Sequence, residues 1–294
     1  MVNKQPHLFC FGLGYTGTVL AGSLRDLGWQ VSGTTREPSD GSDAYPFSGH
    51  AEEVEAIAAT LRTATHVLST IPTMELGDPI LAAVEQVLAE CEDLTWIGYL
   101  STTGVYGNTD GAVVDETTPT NPSGERGMRR VRAEKQWLNL YGAFDLPVHV
   151  FRLPGIYGPG RSVFDQLKHG KSQRILKPGH KFNRIHVDDI AQALIASMKQ
   201  PDPGAIYNVC DDHPVEPAEV TAYACEVMGT EPPPLIDFFE AEKSMSAMGR
   251  SFWNDNRLVS NGRIKSELGV ALIHPDYKSG LDAIWALMGS QYDE

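Results

Sequence analysis

Apolar residues fall along the chain in short unbroken runs that alternate with stretches of helical spacing. Leu8 to Phe11 is the first run, followed by Val19, Leu20, Ser23, Leu24 and Leu27 on one helical face up to Gly28, and then by a second run at Val31 to Thr34. The alternation continues: Ala44 to Phe47 predicts a short strand, Val54, Ile57, Ala58 and Leu61 a helix over 51–61 that exposes Glu52, Glu53 and Glu55, His66 to Ile71 a strand, and Pro79 to Glu90 a helix. Trp96 to Ser101 and Pro147 to Leu153 predict two further buried strands, with a helix from about Gly124 between them. Continuous apolar strands alternating with amphipathic helices are the pattern of a parallel sheet covered on both faces. The fold class this predicts is α/β, a Rossmann-like doubly wound parallel sheet. Beyond it, the spacing predicts a helix from Asp188 (as N-cap) to Met198 and, after Asn208, helices over Pro217 to Met228 and from about Asp276 to Met288 in a smaller, partly interleaved C-terminal α+β lobe. The boundaries expected are 1–172 with 186–210 for the nucleotide-binding domain, and 173–185 with 211–294 for the substrate lobe.

The first strand-to-helix turn carries chemistry. Gly12, Gly14 and Gly17 give G-x-G-x-x-G immediately after a strand and at the opening of a helix, the dinucleotide-binding fingerprint. Gly12 suits the tight turn, Gly14 lets backbone approach a pyrophosphate, and Gly17 lets helix pack on strand. The turn Gly12-Leu13-Gly14-Tyr15-Thr16-Gly17 would then offer helix N–H groups to phosphate. The second strand runs out through Thr35 to Arg36. A guanidinium there suits a 2′-phosphate and favours NADP over NAD, although Arg36 followed by Glu37 also fits a solvated loop. Ser69, Thr70 and Ile71, at the end of another parallel strand, are candidates to border the same ligand or else ordinary turn residues.

Composition narrows the partners. A net charge of −14 over 294 residues makes a nucleic-acid backbone an unsuitable partner, so any anionic ligand needs a local basic site. Cys10, Cys91, Cys210 and Cys225 have no metal-ligand spacing and read as reduced, mostly buried thiols. No run reaches membrane-spanning length and Met1 to His7 has no signal-peptide pattern, so a soluble cytoplasmic protein with no bound metal is expected.

Ser101-Thr102-Thr103-Gly104-Val105-Tyr106-Gly107 resembles the strand-end segment of the extended short-chain dehydrogenases/reductases, the family of nucleotide-sugar epimerases, dehydratases and reductases. The resemblance continues at Arg152 to Gly160, Arg184 to Ile190, Tyr207-Asn208-Val209 and Val259 to Gly269, and so covers nearly the whole chain. The glycine spacing departs from the G-x-x-G-x-x-G of that family and marks an atypical branch. The resemblance implies a substrate cleft between the two lobes, Pro154-Gly155-Ile156 against the nicotinamide, Lys181 and Arg184 toward the substrate, and a homodimer through the Pro79 and Gly124 helices.

The family's proton transfer uses a Tyr and a Lys four residues apart, because a phenol titrating near 10 needs a neighbouring cation to exchange protons near neutrality. Aligning Ala133-Glu134 places Arg126 at the Tyr position and Arg130 at the Lys position, and no Tyr stands four residues before any Lys. Arg126 has no acceptor and stays charged, so it binds anions and cannot act as acid or base. Arg130 can keep the cation's role. With Arg129 and Arg132 these make a basic cluster, read either as a solvated helix face or as a seat for phosphate or carboxylate. Thr102 matches the family's Ser/Thr, Tyr106 is the substitute phenol or a structural residue, and His186 is read as a packing element. Two functions follow: an NAD(P)-dependent oxidoreductase or epimerase/dehydratase-like enzyme acting on a small polar substrate such as a nucleotide sugar, or a non-catalytic NADP(H)-binding redox sensor.

Overall fold

The computed structural model describes residues 5–37, 44–47, 51–75 and 77–290; residues 38–43 of the expected polar loop and the Glu52 side chain lie outside the described parts. Strands β1 (His7–Phe11), β2 (Gln30–Thr35), β3 (Ala44–Pro46), β4 (His66–Ser69) and β5 (Trp96–Thr102) belong to one seven-stranded parallel sheet. With Val148–Leu153 and Ile206–Asn208 at one edge, the order is Ile206–Asn208, Val148–Leu153, β5, β4, β1, β2, β3. Strand β1 lies centrally, Leu8 opposite both Val31 and His66, and Phe11 opposite both Thr34 and Ser69. All five residues of β1 are buried, which is why that strand reads as an unbroken apolar run.

The helices α1 (Tyr15–Asp26), α2 (Ala51–Leu61), α3 (Leu81–Ala89) and α4 (Glu125–Phe144) follow the predicted spacing. Helix α1 buries Leu20, Ala21 and Leu24, whereas Leu27, expected on the same face, is 57% exposed because the helix has already ended. The apolar faces of α2 to α4 close over Phe9, Phe11, Val67, Ile97 and Val148 to form one core that includes Trp137.

Packing divides the chain into two compact units, residues 1–102, 125–152 and 190–207, and residues 103–124, 153–189 and 208–294. The second unit takes in 103–124 and 153–172, segments expected with the nucleotide-binding domain. The reason is pairing: Gly155–Tyr157 runs parallel to Arg184–His186, and Val113–Val114 parallel to Leu258–Val259. Its own core joins Tyr157, Phe164, Val215 and Ala224 to Tyr277, Leu281 and Ile284. The helix Val187–Lys199 begins before Asp188, so Asp188 sits in the first turn and is not the N-cap expected for it. All four cysteines are free and buried, and burial pushes the Cys10 thiol up to about 12.

On β4, His66 is packed between Trp29 and Trp96, with ring centroids 4.6 and 6.2 Å away, and burial pushes its imidazole down to about 4. The unfolded chain therefore binds one more proton than the folded chain between about pH 4 and 6.5. The stability tied to neutral His66 is fully present above pH 6.5 and lost as pH falls through that window, at about 1.4 kcal/mol per pH unit. Urea unfolding at pH 6.5 and 4.5 should show His66→Gln losing about 2 kcal/mol less than the wild-type protein over this interval. Parallel losses in the two proteins would contradict this.

Candidate functional site

The glycine turn is built by its neighbours on both sides. On one side, the Thr34 hydroxyl accepts from the Gly12 amide at 3.0 Å and the Thr34 carbonyl accepts from the Leu13 amide at 2.7 Å. On the other, the Thr70 hydroxyl donates to the Gly12 carbonyl at 2.6 Å. Gly12 has φ +93°, and a Cβ there would lie 2.6 Å from the Thr70 hydroxyl. A Cβ on Gly17 would lie 2.6 Å from the Gly12 carbonyl oxygen. These two positions are glycine for the fold. Gly14 differs: its backbone is extended, its surroundings are open to 4 Å, and as N-cap of α1 it supplies no side-chain hydrogen bond to the first turn. A helix start with no side-chain cap from its N-cap residue and a clear approach suits a phosphate.

Each remaining expected residue of the first unit has a definite place. Thr35 is half-buried and Arg36 exposed at the end of β2. Ser69 is fully buried and directs its hydroxyl to Asp78 at 3.4 Å, while Thr70 and Ile71 back the Gly12 turn itself. The three residues thus form the wall of the turn, with Ser69 behind it. Thr102 is half-buried at the end of β5.

Helix α4 disperses the basic cluster that its sequence concentrates. Arg126 is exposed, Arg129 pairs loosely with Glu125 at 3.9 Å, and Arg132 reaches the Glu75 carbonyl. Only Arg130 turns onto the sheet, donating to the Tyr99 hydroxyl at 2.8 Å and the Leu100 carbonyl at 2.7 Å. Arg130 is therefore a cation clamped at the end of β5. Burial pushes the Tyr99 hydroxyl above its usual range and Arg130 pulls it back. Tyr99 is thus a neutral partner here, not a proton acceptor.

Two buried groups had no signal in the sequence pattern. Asp78 accepts from the Trp137 indole at 2.9 Å and the Ile80 amide at 2.8 Å; burial pushes its carboxyl up, and the indole, the amides and Arg130 oppose that shift. Glu134, in the aligned Ala-Glu, accepts from Arg152 at 3.1 and 2.7 Å and from the Ser101 hydroxyl at 2.5 Å. This network joins α4, β5 and the Val148–Leu153 strand, and so sets the height of Arg130 one helical turn away.

The second unit holds the other expected residues. Tyr106 is 1% exposed and donates its hydroxyl to Asn208 at 2.8 Å. Pro154 precedes the paired strand that contains Gly155 and Ile156. Arg184 does not extend toward a ligand as expected: it is committed to the Phe182 and Val215 carbonyls inside this unit, with Asp211 close by. Burial pushes the Asp211 carboxyl up to about 8, against the pull of Arg184. His186 is buried at the end of Arg184–His186, in edge contact with Tyr157.

The model of the NAD dependent epimerase/dehydratase family matches residues 12–210. Protein YeeZ of Escherichia coli K12 is 31% identical over 283 residues, covering 90% of this chain and 95% of that protein. A functionally unknown conserved protein of Silicibacter pomeroyi has a solved structure that is 46% identical, covers 97% of this chain and 99% of its own, and superposes with a TM-score of 0.86. The human epimerase family protein SDR39U1 (isoform 2), solved with NADPH, shares the fold at a TM-score of 0.74 and 15% identity, over 95% of this chain and 99% of its own. Among the described residues no helix is long and apolar enough to cross a membrane.

Proposed function

The chain belongs to the NAD-dependent epimerase/dehydratase family, and from that premise we propose that it is a cytoplasmic NADP(H)-dependent oxidoreductase or epimerase-like enzyme acting on a small polar substrate, a nucleotide sugar foremost. The observation that carries this reading is the glycine turn, in which Thr34 and Thr70 fix Gly12 while Gly14 stands in open space at the start of α1. That cradle fits a dinucleotide: the backbone of Gly12 to Gly17 takes the pyrophosphate, and Thr35 and Arg36 take the ribose that carries the 2′-phosphate. The bound cofactor supplies hydride transfer at its nicotinamide. Thr102 hydrogen-bonds the substrate oxygen. Arg130, fixed on β5, provides the positive charge that the aligned lysine would otherwise give. With Tyr106 buried, the proton moves through water held at Thr102. The exposed Tyr141 and Phe144, beside a groove between α3 and α4, are the surface on which we place a homodimer contact.

Arginines at the Tyr and Lys positions, together with the burial of Tyr106, favour a second reading as an NADP(H)-binding sensor without turnover. Fluorescence titration with NADPH and NADH, then assay against nucleotide sugars and simple carbonyl compounds, separates the two. NADPH binding with turnover supports the enzyme, binding without turnover supports the sensor, and absence of binding overturns both. Arg36→Asp should weaken NADPH relative to NADH by roughly 10–100-fold, the worth of a lost charge-assisted hydrogen bond. An unchanged ratio would remove Arg36 from the site.

A further inference from the structure

In the second unit, two imidazoles converge on one carboxylate oxygen. His186 Nδ1 and His274 Nε2 lie 3.5 and 3.7 Å from Oδ2 of Asp188. One donor atom from each of the three residues lies within 4.8 Å of the other two, and the cluster is the one group of three or more such side chains able to share an ion among the described residues. The two rings are tilted against each other with centroids 4.0 Å apart. His186 and His274 are buried, whereas Asp188 is half-exposed and gives a route to solvent.

These separations are too long for N–H···O hydrogen bonds, which cluster at about 2.7–3.2 Å. They fit the donor-to-donor edge around a four-coordinate ion, about 3.4 Å when each donor is roughly 2.0–2.2 Å from the metal. A second observation points the same way. His186 is 1% exposed and its Nε2 has no hydrogen-bond partner among the described residues. The Asp188 amide donates to Nδ1, which leaves the ring proton on Nε2 and the lone pair on the nitrogen that faces Asp188. The Asp188 amide, 3.3 Å from the same Nδ1, is the contact an ion would replace. The cluster is also held in place. The neighbouring Asp189, fully buried, accepts from the Ile273 amide at 2.6 Å and the His274 amide at 3.0 Å, so that the loop carrying His274 is tied to the start of the Val187–Lys199 helix.

We propose that His186, Asp188 and His274 form a binding site for a divalent first-row transition-metal ion, zinc by preference. Two imidazole nitrogens and one carboxylate oxygen are the donor set that suits such an ion and not calcium or magnesium. Three protein ligands leave one position for water. The ion would cross-link the helix start at Asp188 to the loop at His274, and the site does not depend on the dinucleotide reading.

The test uses the full-length, tag-free protein treated with a chelator and then titrated with ZnCl2 by calorimetry, and with CoCl2 by visible absorption. One equivalent of zinc should bind, with a tetrahedral cobalt spectrum and a rise in apparent Tm of several degrees at saturation. Asp188→Ala, at a half-exposed position that the fold tolerates, and His274→Ala should each weaken binding by at least about 100-fold, since loss of a mere outer-shell partner already costs roughly 10–100-fold. Exposed His169→Ala should leave it unchanged. No zinc uptake and no cobalt spectrum would overturn the proposal, as would binding that survives both Asp188→Ala and His274→Ala.

Discussion

Arg152→Met should lower the stability of the protein by about 3–5 kcal/mol, the usual consequence of leaving one member of a buried ion pair alone. Glu134 and Arg152 are each only 4% exposed, so the carboxylate left behind would have no route to water. It would keep the Ser101 hydroxyl and lose both guanidinium contacts. The penalty belongs to the stranded charge and not to the pair, because a buried pair returns little net stability over apolar residues of similar volume. The double variant Glu134→Leu/Arg152→Met should therefore be more stable than Arg152→Met alone. Urea denaturation followed by tryptophan fluorescence measures both, with Trp137 in the affected core. A double variant that loses the sum of two large single effects would show no coupling between the two charges and would overturn this reading. Because Arg130 lies one turn from Glu134 on α4, the single variant should also impair any activity through the position of that cation.

Gly14→Asp is expected to separate folding from binding. The side chain enters open space, the backbone is already extended, and Asp is among the preferred N-cap residues, so stability should be unchanged or higher by a few tenths of a kcal/mol. A carboxylate where a pyrophosphate must lie introduces like-charge repulsion worth several kcal/mol. NADPH affinity should fall by at least about 100-fold, or about 2.7 kcal/mol. Gly17→Ala makes the contrast: its Cβ meets the Gly12 carbonyl oxygen at 2.6 Å, so that variant should lose Tm as well as binding. Retention of NADPH binding by Gly14→Asp would place the cofactor elsewhere.

The difference between these two predictions follows how each feature was written in the chain. The glycine turn is local: strand, turn and helix signals sit within twenty residues, and a backbone that must bend tightly restricts the residue types directly. Thr70 was found by the same logic, since a parallel strand ends beside its neighbour's turn. The Glu134 and Arg152 positions were both within segments of family resemblance, yet nothing in the sequence showed that they meet, because pairing across α4 and a strand depends on helix rotation and strand register together. Asp78, between Gly77 and Pro79, looks like a loop residue, and only the packing of Trp137 turns it into a buried acceptor. The basic cluster also depends on the fold. Four arginines within seven residues of a helix point in several directions at about 100° per residue, so adjacency in sequence became dispersal in space.

The same distinction governs the two units. Periodicity determined the elements, the parallel sheet and the dinucleotide turn, because hydrophobic spacing and backbone freedom act on neighbouring residues. Tertiary structure decided that Gly155–Tyr157 pairs with Arg184–His186, that Tyr106 spends its hydroxyl on Asn208, and that His274 comes to Asp188 from 86 residues away in the chain. Burial and register are properties of the whole packed chain, and no local pattern carries them.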